Sequence, residues 1–266
     1  TALDEVAQMM GGLAYMTGLP GKPMRAGSSV IDITGGMFGV IGILAALERR
    51  HQTGKGEKVS SSLFETTAFL MGQHMAQEAV SGEEVPPMSV RQSAWSVYDI
   101  FHTKEGDGIF VGVVSDTLWK SFCEEFALDG FINDPALSQN NERVKQRQVI
   151  MPLLKQLFSS FSKQDLIVRL ERAGVPFAPI NSPADLFDDP HLNEGGGLLP
   201  VKCSTAAGST VRAKLPALPL EMASEKLGLR SDAPTVGEQG LSIMRDLGYS
   251  EKSIKEMITS GAATVR

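Results

Sequence analysis

The chain has 266 residues, 42% hydrophobic, with 27 Gly, 14 Pro, two Cys and a net charge of −6. This composition excludes collagen-like, disulfide-stapled and wholly disordered classes, and the length allows one large or two medium domains. The acidic balance argues against a nucleic-acid or anionic-membrane partner, which would require a basic patch.

Residues 3–16 carry apolar and small residues at helical spacing, and Gly18, Pro20, Gly21 and Pro23 then force a loop. The run Ser28-Ser29-Val30-Ile31-Asp32-Ile33-Thr34-Gly35-Gly36 leads into a helix expected over 37–50. Its apolar residues go almost all the way round, so it should be enclosed by protein. The apolar stretch 37–47 is also short for the ~20 residues that span a bilayer. Gly35, Gly39 and Gly42 with Ala46 give this helix a small-residue surface on which another backbone can lie closely. After a turn at 53–57, residues 58–64 read as a short strand and 65–81 as a helix.

The polar, Pro-containing stretch 82–89 reads as a crossing between lobes. Two strands, 95–101 and 108–114, flank the turn at Lys104-Glu105-Gly106-Asp107 and predict a hairpin. Helices are expected at 117–127, 141–161 and 163–173, with an extended stretch at 175–179 and a helical turn at 183–187. A strand at 198–203, a Pro-rich strip at 215–220 and helices at 236–247 and 251–260 complete the chain. The pattern predicts an α/β chain with an α+β insertion, divided as 1–87, 88–190 and 191–266.

Common catalytic templates are missing: there is no GxGxxG after a strand, P-loop, GxSxG elbow or HExxH. The four histidines have no neighbouring ligand or nucleophile and read as surface or helix-end residues. No Cys or His cluster forms a metal ligand set. Cys123 and Cys203 show no framework spacing, which fits free thiols and a cytoplasmic location. Asp32 remains, immediately before a glycine-rich helix start, and two readings fit it. It can be an N-cap that accepts the first free amides of the helix. Equally, a carboxylate among free N–H groups, with side-chain-free Gly35 and Gly36 beside it, can act as a covalent nucleophile.

The run 28–37, followed by Gly42-Ile43-Leu44-Ala45-Ala46-Leu47 and His51-Gln52-Thr53-Gly54-Lys55-Gly56, resembles the class III CoA-transferases. That superfamily includes formyl-CoA and carnitine CoA-transferases and the α-methylacyl-CoA racemases, and is also called CaiB/BaiF. The likeness continues through Phe101-His102-Thr103-Lys104-Glu105-Gly106, Gly174-Val175-Pro176-Phe177-Ala178-Pro179-Ile180 and Leu247-Gly248-Tyr249-Ser250. The resemblance implies a Rossmann-like large α/β domain, partial here, a small α+β domain, and two chains interlocked as a homodimer. Residues 1–87 would be the last part of the large domain, 88–190 the small domain, and 191–266 a return to the large one. The sequence resembles a member lacking its N-terminal third, where most contacts to the CoA nucleotide lie.

The family nucleophile falls on Asp32, and the resemblance places Leu63 against CoA. CoA would act as co-substrate, carried by an acyl-CoA, with a small carboxylic acid as its partner and no metal. Where formyl-CoA:oxalate transferases have a run of glycines ending in Gln over the site, this chain has Ser89-Val90-Arg91-Gln92-Ser93. Arg91, Gln92 and Ser93 are thus candidate substrate contacts. Arg91 can pair bidentately with a second carboxylate of a dicarboxylic acceptor or be a solvated surface residue. Two other functions compete with CoA transfer: a 2-methylacyl-CoA racemase and a non-catalytic relative. Racemases resemble Asp-Phe-Gly-Gly-Gly at the Asp32 position and carry a functional Glu where Ser115 stands, with Asp116 adjacent as a substitute.

Overall fold

The computed structural model describes residues 3–91, 93–205 and 208–264, which leaves Gln92 outside the described residues. The chain is mixed helix and sheet, and it divides into two compact units. The first holds the chain up to Tyr98, Val113–Trp119 and Leu128–Ile150; the second holds Asp99–Gly112, Lys120–Ala127 and the chain from Met151 onward.

The first unit begins with α1 (Asp4–Met10), α2 (Leu13–Thr17), α3 (Val30–Thr53), α4 (Leu63–Leu70) and α5 (Gly72–Ser81). Met16, Met71 and Val85 form a buried cluster there, with Leu13 and Leu70 packed against it. The helix expected over 65–81 is two helices, which meet at Met71. Residues 58–64 form no strand: 58–62 have no regular secondary structure, and α4 begins at Leu63 after an extended Ser62.

That stretch lies on the glycine surface of α3. A Cβ added at Gly42 would come 2.8 Å from Val59 Cγ1, one at Gly39 3.8 Å from Ser61 Cβ, and one at Gly35 2.8 Å from Leu63 Cδ2. The pairs run in opposite directions along the two segments, and Ser61 Oγ donates to Gly35 O at 2.9 Å. Small residues thus let backbone seat on helix as their spacing predicts.

The rest of α3 departs from expectation. It runs 24 residues and begins seven residues before the expected start. Ile33, Met37, Val40, Ile41, Ile43 and Leu44 are each at least half exposed, so this chain does not enclose the helix. By length and composition α3 could cross a membrane, its mean hydropathy reaching 2.0 over 18 residues.

The hairpin forms as read, from β1 (Val97–His102) and β2 (Gly108–Val113). Next come α6 (Asp116–Glu125), α7 (Asp129–Ile132), α8 (Asn140–Lys145), α9 (Arg147–Phe158) and α10 (Lys163–Ala173). The helix expected over 141–161 is therefore also two, divided at Gln146. In the second unit β3 (Phe177–Pro179) pairs antiparallel with β2, with Val111 opposite Phe177 and Ile109 opposite Pro179. The core of this unit is aromatic: Phe101, Phe122 and Phe126 surround Phe158 with ring centroids 4.8–6.1 Å away. Cys123 is buried, Cys203 is half-buried, and neither forms a disulfide among the described residues.

Beyond β3 lie α11 (Pro190–Glu194) and the hairpin of β4 (Leu198–Ser204) with β5 (Thr210–Pro216). A two-residue hairpin of β6 (Glu221–Met222) and β7 (Glu225–Lys226) follows, then α12 (Gly240–Asp246) and α13 (Glu251–Thr259). The strand β5 was missed although Val211, Ala213 and Leu215 alternate with polar residues; the alternation is short, ends at Pro216, and marks no buried face, since all but Ala213 are exposed.

Candidate active site

Asp32 is the third residue of α3, and another acid does the capping assigned to it. Asp4, on α1, accepts through Oδ1 from the backbone N–H of Ile31 at 2.8 Å and of Asp32 at 3.2 Å. Its Oδ2 accepts from Gln8 Nε2 at 2.5 Å, and Gln8 Oε1 in turn accepts from the Ala26 N–H at 2.8 Å. Asp4 and Gln8 are both buried. Burial alone would raise the Asp4 carboxyl, but the bonds from Gln8, Ile31 and Asp32, together with Arg25, outweigh it and hold Asp4 below its ordinary value.

The other early amides are also occupied: Val30 N donates to Ser28 O at 2.8 Å and Ile33 N to Ser29 O at 3.0 Å. The free N–H groups expected around Asp32 are therefore committed elsewhere. What the arrangement leaves is a free carboxylate. Asp32 is exposed, and its carboxylate has no hydrogen-bond or ion-pair partner among the described residues, its backbone N–H being held by Asp4. It stands at the positive end of a 24-residue helix, where the dipole favours negative charge.

The two glycines beside it do different things. Gly35 is buried, and a Cβ there would run into Leu63. Gly36, one turn beyond Asp32, has nothing within 4 Å of where a Cβ would be. The structure thus brings Asp32 and Leu63 to the same end of α3 through Gly35, with open space at Gly36.

It does not join the remaining candidates to Asp32 through any hydrogen bond or ion pair among the described residues. Arg91 is exposed, its backbone N–H on Pro87 O at 3.1 Å and its Nη1 3.6 Å from Met88 Sδ. Ser93 Oγ accepts from Trp95 N at 3.1 Å. Gln92 lies outside the described residues. His74 departs from the surface reading: it is buried in α5, Nε2 contacting Gln73 at 3.2 Å and Nδ1 without a partner among the described residues. It borders a groove of about 550 Å³ lined by Tyr15, Met16, Phe64 and Met71, and Asp32 is not among the lining residues.

The two residues offered for racemase chemistry have structural duties. Ser115 Oγ accepts from Leu118 N at 3.0 Å at the start of α6. Asp116 Oδ1 holds Arg143 Nη2 at 2.6 Å and the Asn140 N–H at 2.9 Å.

Residues 1–240 match the family described as CoA-transferase family III. The chain belongs to CoA-transferase family III. It is 27% identical over 259 residues to an acyl-CoA transferase of Fusarium pseudograminearum, covering 97% of this chain and 56% of that protein. It is 25% identical to the mouse succinyl-CoA:glutarate CoA-transferase, covering 97% of this chain and 58% of the relative. To the acetyl-CoA:oxalate CoA-transferase of Acetobacter aceti it is 26% identical, covering 94% of this chain and 62% of the relative. The crystal structure of a CaiB/BaiF family protein from Brucella suis superposes with a TM-score of 0.76 at 26% identity, covering 93% of this chain and 63% of that one. The fold is therefore the family's, as the resemblance implied. The chain spans 56–62% of the length of these curated family III relatives.

Within this family III chain, sequence reasoning missed Asp4. Its spacing to Gln8, four residues on, signals a helical pair. Nothing local connects it to amides 27 and 28 residues away.

Proposed function

We propose that the protein moves CoA between carboxylic acids, with Asp32 as the nucleophile. The observation that carries this reading is the division of labour at the start of α3. Asp4 satisfies the helix start, which frees the Asp32 carboxylate at an open position. A carboxylate that served only as a cap would be engaged with those amides. Membership in family III and relatives named as CoA-transferases support the same chemistry.

On this reading an Asp32 oxygen attacks the donor thioester carbonyl, forming a mixed anhydride and releasing CoA thiolate. The thiolate attacks the Asp32 carbonyl and expels the donor acid, leaving an aspartyl-CoA thioester. The acceptor carboxylate then attacks this thioester and releases CoA thiolate, which takes the acceptor acyl group from the second anhydride. Each step exchanges one activated acyl bond for another, so no nucleotide hydrolysis is required. CoA enters and leaves as co-substrate, Leu63 borders its path, and Arg91, Gln92 and Ser93 contact the acceptor. We further propose a cytoplasmic homodimer, and the uncovered apolar face of α3 supports such pairing.

Incubation with succinyl-CoA and a panel of carboxylates, followed by hydroxylamine or borohydride trapping, tests the reading. Transfer is expected to mark Asp32, and Asp32→Ala to lower turnover by at least about 10³-fold. Full activity in that variant, or deuterium exchange at C2 of a 2-methylacyl-CoA without acyl exchange, contradicts it.

A further inference from the structure

Gln8 is wholly buried on α1, one turn beyond Asp4, and each end of its side-chain amide has a partner. Its Nε2 donates to Asp4 Oδ2 at 2.5 Å, and its Oε1 accepts the N–H of Ala26 at 2.8 Å. Ala26 lies in the loop between α2 and α3, which Arg25 also ties to α1 through an ion pair with Glu5. Asp4 passes the anchor on: its Oδ1 takes the N–H groups of Ile31 at 2.8 Å and Asp32 at 3.2 Å. An unbroken chain of hydrogen bonds thus runs from the loop, through Gln8 and Asp4, to the backbone of the proposed nucleophile. Every member of it lies in the first compact unit.

Burying a glutamine beside an aspartate is a costly way to join two helices, since each polar group must be matched or lose free energy. What a matched network supplies is fixed geometry. An aspartate in the first turn of a helix can fold back on nearby backbone N–H groups. Asp32 is placed to do so, but the amides of Ile31 and of Asp32 itself are taken by Asp4. Asp4 holds them only while its own carboxylate is kept from turning, and Gln8 grips its other oxygen. The 3.2 Å bond to Asp32 N is the longer of the two and the first to open if that grip is lost.

We propose that Gln8 is a positioning residue for the nucleophile: by locking the Asp4 carboxylate it keeps the first-turn amides occupied and the Asp32 carboxylate free to attack. This rests on the CoA-transfer reading above and adds to it a residue that acts through Asp4. The direction of the Gln8–Asp4 hydrogen bond can be reversed, which separates its geometry from the charge on Asp4. In Asp4→Asn a new amide donor faces Gln8 Nε2, and in Gln8→Glu two carboxylate oxygens meet. With both substitutions, the amide at position 4 donates to the carboxylate at position 8, whose second oxygen still accepts from Ala26 N–H. The carbonyl oxygen at position 4 still serves the two α3 amides.

The test measures initial rates with succinyl-CoA and glutarate in the Asp4→Asn, Gln8→Glu and doubly substituted proteins. Each single substitution is expected to lower kcat about tenfold and leave the KM for succinyl-CoA within about twofold. The double substitution should return kcat to within about threefold of wild type, since it restores every bond in the chain. Single variants that keep full kcat, or a double variant that loses the product of the two effects, overturn the proposal. If a single variant fails to fold, the double variant decides alone: it must fold and transfer CoA, and failure to do either overturns the proposal. Amide hydrogen exchange supplies a readout independent of turnover. Ile31 and Asp32 should lose protection in each single variant and regain it in the double variant, while the later turns of α3 stay protected. Unchanged protection at these two amides, or protection regained without kcat, also overturns it. A wild-type protein that exchanges no CoA contradicts the transferase reading instead, and the hydrogen-exchange measurement still decides the anchoring.

Discussion

At the scale of single residues, the site depends on two aspartates with opposite environments. Asp4 is buried and its carboxylate accepts from three donors, whereas the Asp32 carboxylate is exposed and has no partner among the described residues. Asp4→Asn keeps an oxygen for the helix amides but turns an amide donor toward Gln8 Nε2, and the lost hydrogen bond should cost about 1 kcal/mol. The pH dependence follows from the direction of the Asp4 shift. Its carboxyl lies below the ordinary 3.8, so the folded state binds that proton less readily than the unfolded chain does. The contribution is present in full at neutral pH and is lost as pH falls below 3.8 through the lowered value. Denaturant unfolding should therefore show the largest deficit for Asp4→Asn near neutrality and convergence with wild type in acid. A deficit independent of pH contradicts the assignment. Asp32 was legible because an acid at a helix start beside two glycines is a local signal. Its release from capping was not, because the residue that releases it comes from another helix.

Among the elements, α3 is the axis of the site, and its glycines give separable predictions. Gly42→Ala should destabilise by about 1–3 kcal/mol, because its Cβ would sit 2.8 Å from Val59 Cγ1 in a packed contact. Gly36→Ala meets open space and should stabilise the free protein by about 0.5–1 kcal/mol. If substrate occupies that space, the same variant should lose at least about tenfold in kcat/KM. Melting curves and transfer assays on the pair check both signs, and a Gly36→Ala protein with full activity removes that space from the site. Elements with local punctuation were read closely. Helix α10 matches its expected limits because Ser162 accepts from Asp165 N at its start and Gly174, at φ 66°, ends it. The stretch 58–62 misled because its alternate residues Val59 and Ser61 face a helix, at Gly42 and Gly39, and no neighbouring strand.

For the molecule as a whole, family membership and mixed helix–sheet architecture followed from motifs that keep their order along nearly the whole chain. The burial of α3 did not follow, since an all-round apolar helix says that a cover exists and not which chain provides it. With six of its large apolar side chains at least half exposed, α3 should be covered in the working assembly. Sedimentation equilibrium is expected to give twice the mass of one protein chain, and a monomer at micromolar concentration contradicts the proposed homodimer.

The central claim, that Asp32 becomes covalently acylated, is tested most directly with oxygen. A single turnover with succinyl-CoA and an acceptor labelled with ¹⁸O in its carboxylate should leave one heavy oxygen in the side chain of Asp32, and repeated turnover a second, read by peptide mass spectrometry. CoA transfer that proceeds with Asp32 unlabelled would contradict the account.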